Sequence, residues 1–393
     1  MAKVRLLELR NTYKWGGGPD KTILLSAEKH DPARVTVVVA YVRDVRDHEF
    51  RITQKAGEKG LTYYEIPEKG KLDLSVISAL RDIVHRHDIN LIHGHDYKSD
   101  FFAYLVKLLL RKRKLAVIST AHAWVMLGPR GTFYRWLDLF LMKRFDHLIA
   151  VSEATKEEMV STGVPKSMIT MIHNAIDTKA WAPIVADSMT FRKELGIGKE
   201  YPVIGYVGRI MPEKDLETWL RAAALVVKQF KEVRFLLIGE GSEGSNTLSQ
   251  LVELAKELGI ADRVIFPGYR SILQPVYAAF DLFVLSSRRE GLPNSILEAM
   301  AMGLPVVTTD VAGAKELVVN EKTGIVVPQG NVNELAKAMI RILEDKPTRL
   351  QMGQAGRMRI ENQFAFSKRL ECVEDLYENV LRAKGLLHTP ESD

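Results

Sequence analysis

The sequence predicts an α/β protein built on two doubly wound parallel sheets, and three observations lead to this fold class. Short valine- and isoleucine-rich runs alternate with longer amphipathic segments, as parallel strands alternate with the helices that connect them. This series runs twice along the chain, without an obvious sequence repeat. The length of 393 residues is too great for one ordinary domain and suits two. We therefore expect two Rossmann-like domains that face each other across a cleft.

The predicted elements form two groups along the chain. In the first group, strands are predicted at Val4 to Leu9, Val35 to Ala40, Leu91 to His93, Ala116 to Thr120 and His147 to Val151, with helices such as Leu74 to Asp88 and Asp100 to Leu110. In the second group, strands are predicted at Val203 to Val207, Arg234 to Ile238, Val264 to Phe266, Leu282 to Leu285, Pro305 to Thr308 and Ile325 to Val327, with helices at Leu216 to Phe230, Leu248 to Leu258, Ile272 to Phe280 and Glu334 to Leu343.

These patterns give predicted domain boundaries. We place an N-terminal domain at residues 1–180, a C-terminal domain at 181–365 and a terminal helix at 366–393. The stretch Ile176 to Pro202 has no clear strand pattern and holds the junction. The segment Phe366 to Leu381 is amphipathic, and we expect it to cross back to the N-terminal domain, as terminal helices of this fold class commonly do.

Composition excludes several classes of protein. Apolar residues make up 46% and charged residues 26%, as in ordinary globular proteins. A single cysteine, Cys372, excludes a disulfide framework within the chain and fits a reducing compartment. No run reaches the roughly 18 apolar residues of a spanning helix, and no secretory signal is visible. We expect a cytoplasmic protein. The mild net charge of +6 leaves open an anionic substrate, a membrane surface or no specific partner.

A segment with two glutamates follows the predicted strand at Leu282 to Leu285. It begins at Glu290 and Gly291, and Pro293 with Asn294 marks the start of a helix, where Asn294 could be the N-cap. The free N–H groups and positive dipole end of a helix start suit a diphosphate. Glu298 lies one turn into this helix, so both carboxylates could accept hydrogen bonds from sugar hydroxyls. The alternative is a helix start with two solvated glutamates.

Two further loops follow strands of the second group. Gly208 and Arg209 come directly after Val203 to Val207, and Lys214 follows five residues later. Arginine and lysine together could hold a diphosphate leaving group, although two solvated surface cations are the simpler reading. Gly241 lies in a glycine-rich turn after the next strand, where it could admit a ligand or only turn the chain.

The first group of elements carries a glycine loop and a histidine at strand ends. Gly16, Gly17 and Gly18 precede a helix predicted from Pro19, and such a loop lets the backbone approach a phosphate closely. Its spacing does not match the dinucleotide-binding fingerprint. His122 follows the strand Ala116 to Thr120, where a neutral imidazole could hydrogen-bond a sugar or pack at a strand end.

Other polar residues at strand ends have weaker interpretations. His93 and His95 are two residues apart, so both side chains point the same way, but no third metal ligand follows at a convincing spacing. We expect no metal site. Asn174 and Asp177 are typical of a turn held by side-chain hydrogen bonds.

Taken together, these motifs resemble the retaining glycosyltransferases of family 4, which have the two-domain GT-B fold. Glu290 and Glu298 match the Glu-x7-Glu pattern of the family, and Gly208, Arg209 and Lys214 match its Gly-Arg…Lys motif. The residues from Asn294 to Val307 are also similar to the family, as are Asn174 and Asp177. The resemblance covers nearly the whole chain.

The resemblance implies roles for single residues. Glu298 would bind the ribose hydroxyls of a nucleotide-sugar donor, Glu290 would contact the transferred sugar, and Arg209 and Lys214 would hold the diphosphate. The implied catalytic groups are His122, Arg209, Lys214 and Glu290. The glycine loop would touch the donor phosphate, and Tyr269 would lie near the base of the nucleotide. The implied donor-binding set is Gly16, Gly17, Gly208, Arg209, Lys214, Gly241, Tyr269, Glu290, Gly291, Leu292, Pro293, Asn294, Ser295 and Glu298.

The implied reaction moves a hexosyl group from a UDP- or GDP-sugar to a lipid-linked or saccharide acceptor, with retention of configuration and no metal or other cofactor. We expect no nucleic-acid partner. Two basic amphipathic segments, Phe101 to Lys114 and Phe133 to Phe145, could touch the inner face of an anionic membrane or be core helices with a basic face. The alternatives are an epimerase-type enzyme on the same fold, an NAD enzyme without the expected fingerprint, and a non-catalytic sugar- or nucleic-acid-binding protein.

Overall fold

The computed structural model describes residues 3–70, 73–122, 139–183, 185–241 and 245–387. The chain divides into two compact units, which we describe separately. The first unit comprises Met1–Asn174 together with Ser367–Asp393, and the second comprises Ala175–Phe366.

Among the described residues, the first unit contains a sheet of seven parallel strands in the spatial order β3-β2-β1-β4-β5-β6-β7. The strands are β1 Val4–Asn11, β2 Val35–Asp44, β3 Tyr63–Glu68, β4 Leu91–Gly94, β5 Ala116–Ala121, β6 His147–Ala150 and β7 Ile169–Met171. The helices of this unit are α1 Gly18–Lys29, α2 Ile52–Glu58, α3 Leu74–Arg86, α4 Tyr97–Leu109, α5 Glu153–Ser161 and, from the end of the chain, α14 Phe366–Ala383.

The described part of the second unit contains a sheet of six parallel strands in the order β10-β9-β8-β11-β12-β13. The strands are β8 Val203–Val207, β9 Arg234–Ile238, β10 Val264–Gly268, β11 Leu282–Leu285, β12 Val306–Thr309 and β13 Gly324–Val327. The helices are α6 Val185–Glu194, α7 Leu216–Gln229, α8 Thr247–Glu257, α9 Gln274–Ala278, α10 Asn294–Ala301, α11 Ala312–Leu317, α12 Val332–Glu344 and α13 Lys346–Gln363.

The two predicted doubly wound parallel sheets are confirmed, and every predicted strand is present. Two strands were not predicted, β3 and β7, and both lie at the edges of the first sheet. An edge strand is covered on fewer sides, so its sequence carries a weaker apolar signal. In β3 the edge position also tolerates Pro67, which donates no hydrogen bond to the ladder. In β7 the strand has only three residues.

The strand order places one reversal point in each sheet. In the first sheet the order reverses between β1 and β4, and in the second between β8 and β11. Ligands of doubly wound folds bind outside the carboxyl ends of the strands at such a point. The residues that follow these four strands are therefore the first place to look for a site.

The last helix packs against the first sheet, as predicted. Its buried residues Val373, Tyr377 and Leu381 recur at helical spacing and join a core cluster with Leu6 of β1 and Ile118 of β5. The helix therefore returns to the unit in which the chain begins, and it covers one face of that sheet.

Charged groups add to this attachment. Arg34 Nε donates to Glu378 Oε1 over 2.8 Å, and His30 Nδ1 lies 2.9 Å from Glu374 Oε1. No helix in the described ranges is long and apolar enough to cross a membrane.

Candidate functional site

The segment with two glutamates lies where the predicted motif places it, at the carboxyl end of β11. Glu290 lies in the loop that precedes α10. Glu298 lies within α10 and is buried. The proposed N-cap was wrong: Pro293 occupies that position in an extended conformation, and Asn294 is the first helical residue. Because no side chain of the described residues caps this helix, the N–H groups of Asn294 and Ser295 are left for another acceptor, whereas those of Ile296 and Leu297 bond the carbonyl oxygen of Pro293.

Close backbone packing holds this loop in place. A Cβ atom added to Gly313, in α11, would lie 1.6 Å from the carbonyl oxygen of Gly291. Only glycine therefore fits at position 313. Ser287 Oγ donates to Glu290 Oε1 over 2.6 Å, which orients the glutamate from its own loop. Leu292 is buried, and Asn294 and Ser295 at the helix start are half-buried.

The structure brings Lys214 and Glu290 together. Lys214 ends a short 3-10 turn after β8, and its Nζ lies 2.7 Å from Glu290 Oε1. The two side chains are only 16% and 11% exposed, so solvent screens this ion pair weakly. The side chain of Arg209 is exposed and makes no hydrogen bond or ion pair within the described part of the chain, while its carbonyl oxygen accepts from Tyr206 Oη over 2.8 Å. A lysine, a glutamate and an uncapped helix start thus converge at the reversal point of the second sheet.

Three residues that the sequence analysis missed tie the loops after β8 and β11 together. Asp215 adopts a left-handed backbone conformation with φ of 49° at the start of α7. Its carboxylate accepts from Arg288 Nη2 over 2.9 Å, and Ser286 Oγ donates to the carbonyl oxygens of Lys214 and Asp215. An aspartate just before an apolar helix was a readable helix-start signal, but its bond to Arg288 joins residues 73 apart.

The two glycine turns of the second unit lie side by side. A Cβ atom on Gly239, which has a φ of +145°, would lie 1.8 Å from the carbonyl oxygen of Gly208. Gly241 pairs with Ile210 in an isolated parallel bridge. Tyr269 follows the neighbouring strand β10, and partial burial together with Glu240 raises the pKa of its hydroxyl. These three turns form one edge beside the Lys214 and Glu290 pair.

Glu298 has a buried partner that the sequence analysis also missed. Tyr277 Oη, on α9, donates to Glu298 Oε2 over 2.8 Å and lies 3.3 Å from the carbonyl oxygen of Ser295. Burial and the neighbouring Glu298 raise the pKa of Tyr277 well above its usual value, so the hydroxyl keeps its proton. In the sequence, Tyr277 lies in an apolar helical segment and is typical of a core residue.

In the first unit, the glycine loop is partly filled by a carboxylate of its own helix. The N–H of Gly17 donates to Asp20 Oδ2 over 2.5 Å, and Arg10 Nε donates to Asp20 Oδ1 over 2.8 Å. Gly16 has a φ of +72°, and a Cβ there would lie 2.8 Å from Asp20. The loop therefore requires glycine, but Asp20 already uses the amide of Gly17 that we expected to be available to a phosphate.

The two histidines after β4 belong to a buried cluster with Glu8 of β1. Their rings are 4.1 Å apart, which confirms that they point the same way. His95 Nε2 lies 2.5 Å from Glu8 Oε2, while His93 contacts Tyr377 Oη at 2.8 Å and Thr120 Oγ1 at 2.7 Å. Glu8 is the third group that sequence spacing did not reveal.

This cluster has the composition of a metal site but already uses its hydrogen-bonding groups. One ligand atom from each of Glu8, His93 and His95 lies within 4.8 Å of the others. Both nitrogens of His93 and the ε-nitrogen of His95 have hydrogen-bond partners. A hydrogen-bond network therefore explains why Glu8, His93 and His95 are buried together.

His122 is the first residue after β5, and it extends this network. Its Nε2 lies 3.4 Å from His95 Nδ1, with the two rings stacked at 27° and 5.7 Å apart. Burial lowers the pKa of His122 well below its usual value, and the nearby Arg10 lowers it further. Burial likewise lowers the pKa of His95 to about 4, against the opposing effect of Glu8. Both imidazoles are therefore neutral at pH 7.

Glu8 carries the negative charge of the cluster. Burial by itself raises the pKa of a carboxyl group, but the interactions with His93 and His95 outweigh burial and lower the pKa of Glu8 well below its usual value. Tyr377 Oη also donates toward Glu8 Oε1 over 3.3 Å, which further favours the ionised carboxylate.

The predicted turn near the end of the first unit is confirmed. Asp177 Oδ1 accepts from the N–H groups of Lys179 and Ala180 over 3.1 and 3.3 Å. Asn174 is buried and is the last residue of the first unit before the chain enters the second. Asp177 therefore holds a side-chain turn at this position.

The two sheets of seven and six parallel strands match the GT-B fold, and two family models place the chain among the glycosyltransferases. Residues 17–180 match the family described as Glycosyltransferase Family 4, and residues 187–359 match Glycosyl transferases group 1. The chain belongs to glycosyltransferase family 4.

Known proteins resemble the chain over most of its length. It is 26% identical over 328 residues to N-acetyl-alpha-D-glucosaminyl L-malate synthase of Bacillus anthracis, covering 83% of this chain and 84% of that protein. It is also 26% identical over 312 residues to UDP-Gal:alpha-D-GlcNAc-diphosphoundecaprenol alpha-1,3-galactosyltransferase of Escherichia coli, covering 78% and 79%. Anabaena HepE, crystallised with UDP and glucose, has the same fold, with a TM-score of 0.85, 21% identity and coverage of 96% and 100%.

Proposed function

We propose that the protein transfers a hexosyl group from a UDP- or GDP-sugar to a lipid-linked or saccharide acceptor. The observation that carries this proposal is the Lys214–Glu290 ion pair beside the uncapped start of α10. A diphosphate needs cations and N–H donors, and a sugar needs hydrogen-bond acceptors. This edge of the second sheet offers both kinds of group within one site.

Each group has a role in this proposal. Lys214, Arg209 and the first N–H groups of α10 stabilise the charge that develops on the leaving phosphate. Glu290 accepts from hydroxyls of the transferred sugar, and Glu298 accepts from the ribose. A donor that draws Lys214 toward its phosphate weakens the ion pair and frees Glu290 Oε1 for the sugar, which couples the two halves of donor recognition.

We also propose that the reaction retains anomeric configuration and needs no metal. Lys214 and Arg209 supply the positive charge that magnesium supplies in other transferases. The acceptor attacks on the face that the diphosphate leaves, and the leaving phosphate takes the proton of the acceptor hydroxyl. NMR of the product reads the configuration, and full activity in excess EDTA is expected. An inverted product would contradict the first statement, and loss of activity with EDTA the second.

The names of relatives support this substrate class. The Escherichia coli relative is named for a UDP-sugar donor and a diphosphoundecaprenol acceptor. A relative from Staphylococcus aureus, 28% identical over 358 residues, is named as a capsular polysaccharide biosynthesis glycosyltransferase. An acceptor of this kind would place the protein in polysaccharide biosynthesis.

The first experiment is a thermal shift of the protein against a panel of nucleoside diphosphates without added metal. A ligand that binds only the folded protein increases the free energy of unfolding, by about 2.7 kcal/mol when its concentration is one hundred times its Kd. The melting temperature rises as a result. We expect a rise with UDP or GDP that is lost in Glu298→Ala. The matched control is Glu334→Ala, because Glu334 lies on α12 and pairs with the exposed Lys337.

This panel, together with a donor-turnover assay and an RNA-binding assay, decides between functions. A rise with one base identifies the donor class. No rise with any nucleotide at millimolar concentration would contradict the donor site. Conversion of the donor sugar without an acceptor would instead favour an epimerase. Salt-dependent RNA binding without turnover would favour a non-catalytic protein.

We further propose that α4 brings the protein to an anionic membrane, where a lipid-linked acceptor resides. Leu108 and Leu109 are 50% and 65% exposed at the end of α4, next to the exposed Arg111, Lys112 and Lys114. Exposed leucines beside basic side chains suit a lipid surface.

Of the second predicted membrane segment, residues 133–138 lie outside the described residues. In its described part, Leu141 and Phe145 belong to the core of the first unit. This leaves α4 as the element to test. Sedimentation with phosphatidylglycerol vesicles tests the proposal, since Leu108→Ser with Leu109→Ser should reduce the bound fraction. Equal binding of this variant and the unaltered protein would contradict it.

A further inference from the structure

Three residues of the first unit form a chain that ends at His122. Glu8 lies in β1, His95 directly follows β4 and His122 directly follows β5. These three strands are neighbours in the sheet. Glu8 Oε2 lies 2.5 Å from His95 Nε2, and His95 Nδ1 lies 3.4 Å from His122 Nε2. His95 therefore uses Nε2 toward Glu8 and Nδ1 toward His122. His122 uses Nε2 toward His95, and its Nδ1 faces no other member of the chain.

The positions of the protons follow from this geometry. An ionised carboxylate can only accept, so His95 carries its proton on Nε2. In a neutral imidazole the other nitrogen then has a lone pair, so His95 Nδ1 accepts from His122 Nε2. His122 must carry its own proton on Nε2, and its Nδ1 presents a lone pair.

The Nδ1 atom of His122 is a hydrogen-bond acceptor. His122 Nδ1 is buried and has no hydrogen-bond partner among the residues that the structure describes. Buried polar atoms in native proteins are nearly always paired, so such an atom points to a ligand or a water. Because Nδ1 has no proton, the ligand group must itself be a donor, and a sugar offers hydroxyl groups of this kind.

We propose that Glu8 and His95 are positioning residues that fix the tautomer of His122, so that His122 Nδ1 accepts a hydrogen bond from a hydroxyl group of the bound sugar. This inference rests on the proposed function. It assigns His122 the role of an acceptor, because a neutral ring with its proton turned toward His95 cannot protonate a leaving group. It also gives a reason for the buried carboxylate within β1.

A neighbouring residue provides the contrast that makes the inference specific. His93 has the same burial and lies against the same glutamate, but both of its nitrogens contact protein groups, Tyr377 and Thr120. His93 does not contact His122 in any described hydrogen bond. Changes around His93 should therefore alter the stability of the first unit without altering the tautomer of His122.

The tautomer is measured directly by NMR of protein with ¹⁵N-labelled histidine, in which the ten histidines are observed and His122→Gln assigns one of them. We expect the Nε2–H tautomer for His122 at pH 7, and a mixture of tautomers in Glu8→Leu and in His95→Phe. Glu8→Gln keeps an acceptor oxygen and should restore the single tautomer. An Nδ1–H tautomer, or an unchanged tautomer in both disrupting variants, overturns the inference.

Transfer kinetics test the sugar contact. His95→Phe keeps a ring of similar size and should lower kcat about tenfold, as the loss of one well-aligned hydrogen bond does, with little change in the KM for the donor. In a His122→Ala background, His95→Phe should cost nothing further, because the two residues act as one unit. Additive losses would instead indicate a general structural effect and would contradict the inference.

The matched control is Thr120→Val, which removes the hydroxyl that contacts His93 at a site just as buried. It should leave kcat within about twofold. If His95→Phe does not fold, Glu8→Leu against Glu8→Gln supplies the same comparison. If the unaltered protein transfers no sugar from any donor, the proposed function fails, and the NMR experiment still decides whether Glu8 and His95 set the tautomer.

Discussion

The two sites of this molecule are built in opposite ways. In the second unit, Lys214 and Glu290 lie on loops after strands and belong to short sequence motifs. In the first unit, Glu8, His95 and His122 are distributed over three strands and connected by hydrogen bonds. The second unit thus places opposite charges at the carboxyl ends of its strands. The first unit buries the charge of Glu8 beside the neutral rings of His95 and His122.

This difference separates two kinds of catalytic preparation. Charges at a helix start recognise a phosphate by electrostatic attraction and can exchange partners when it arrives. A buried network cannot exchange partners easily, because every group left without a hydrogen bond is costly. The second unit is therefore suited to binding and releasing a charged donor, and the first to holding a single side chain in one orientation.

The largest expected effect is on the charged site. Lys214→Ala should lower kcat for transfer by about 100- to 1000-fold, as the loss of one preorganised donor to a developing oxyanion does. The measurement is steady-state transfer with a saturating donor. Lys337→Ala, an exposed lysine with an exposed glutamate partner, is the control and should leave kcat unchanged. A loss of less than fivefold would show that Arg209 and α10 stabilise the phosphate without Lys214.

The buried network predicts a pH dependence of stability. His95 faces His93, Glu8, Arg10 and His122, and burial lowers its pKa to about 4 from the usual 6.5. The unfolded chain therefore binds a proton in this range that the folded protein does not, and stability falls as the pH drops below 6.5. From pH 7 to pH 5 the contribution of His95 is about 2 kcal/mol.

Chemical denaturation at pH 7 and pH 5 measures this contribution. The loss of stability between the two pH values should be smaller in His95→Phe than in the unaltered protein. Equal losses would show that His95 is protonated in the folded state, and the contrast between a neutral network and a charged site would not hold.

The smallest effect concerns the support of Glu298. Tyr277→Phe removes the hydroxyl that donates to Glu298 Oε2 and should weaken nucleoside diphosphate binding about five- to tenfold, which is within the usual worth of one hydrogen bond, because the hydroxyl supports Glu298 rather than the ligand itself. Isothermal titration calorimetry measures the change. Tyr64→Phe removes a comparable hydroxyl that contacts His87 in the first unit, and it should have no effect on binding. Unchanged affinity in Tyr277→Phe would mean that α10 orients Glu298 without help.

The part of the site that could be predicted from the sequence was the part encoded locally. The pair Glu290 and Glu298, and the pair Gly208 and Lys214, follow strands within a few residues, so their placement depends only on finding the strand and the next helix. The prediction of Asn294 as an N-cap was wrong for a local reason too, because Pro293 takes that position. The reactions and ligands assigned to these residues stay predictions.

What the sequence determined by itself was the alternation of strands and helices, and with it the two parallel sheets and the reversal points at which polar residues gather. Only the tertiary structure decided which of those residues meet. Glu8 and His95 are 87 residues apart, and Tyr277 and Glu298 lie on different helices. Periodicity reports which face of an element is buried, whereas a hydrogen bond between distant elements depends on strand order and side-chain direction, which no local pattern records.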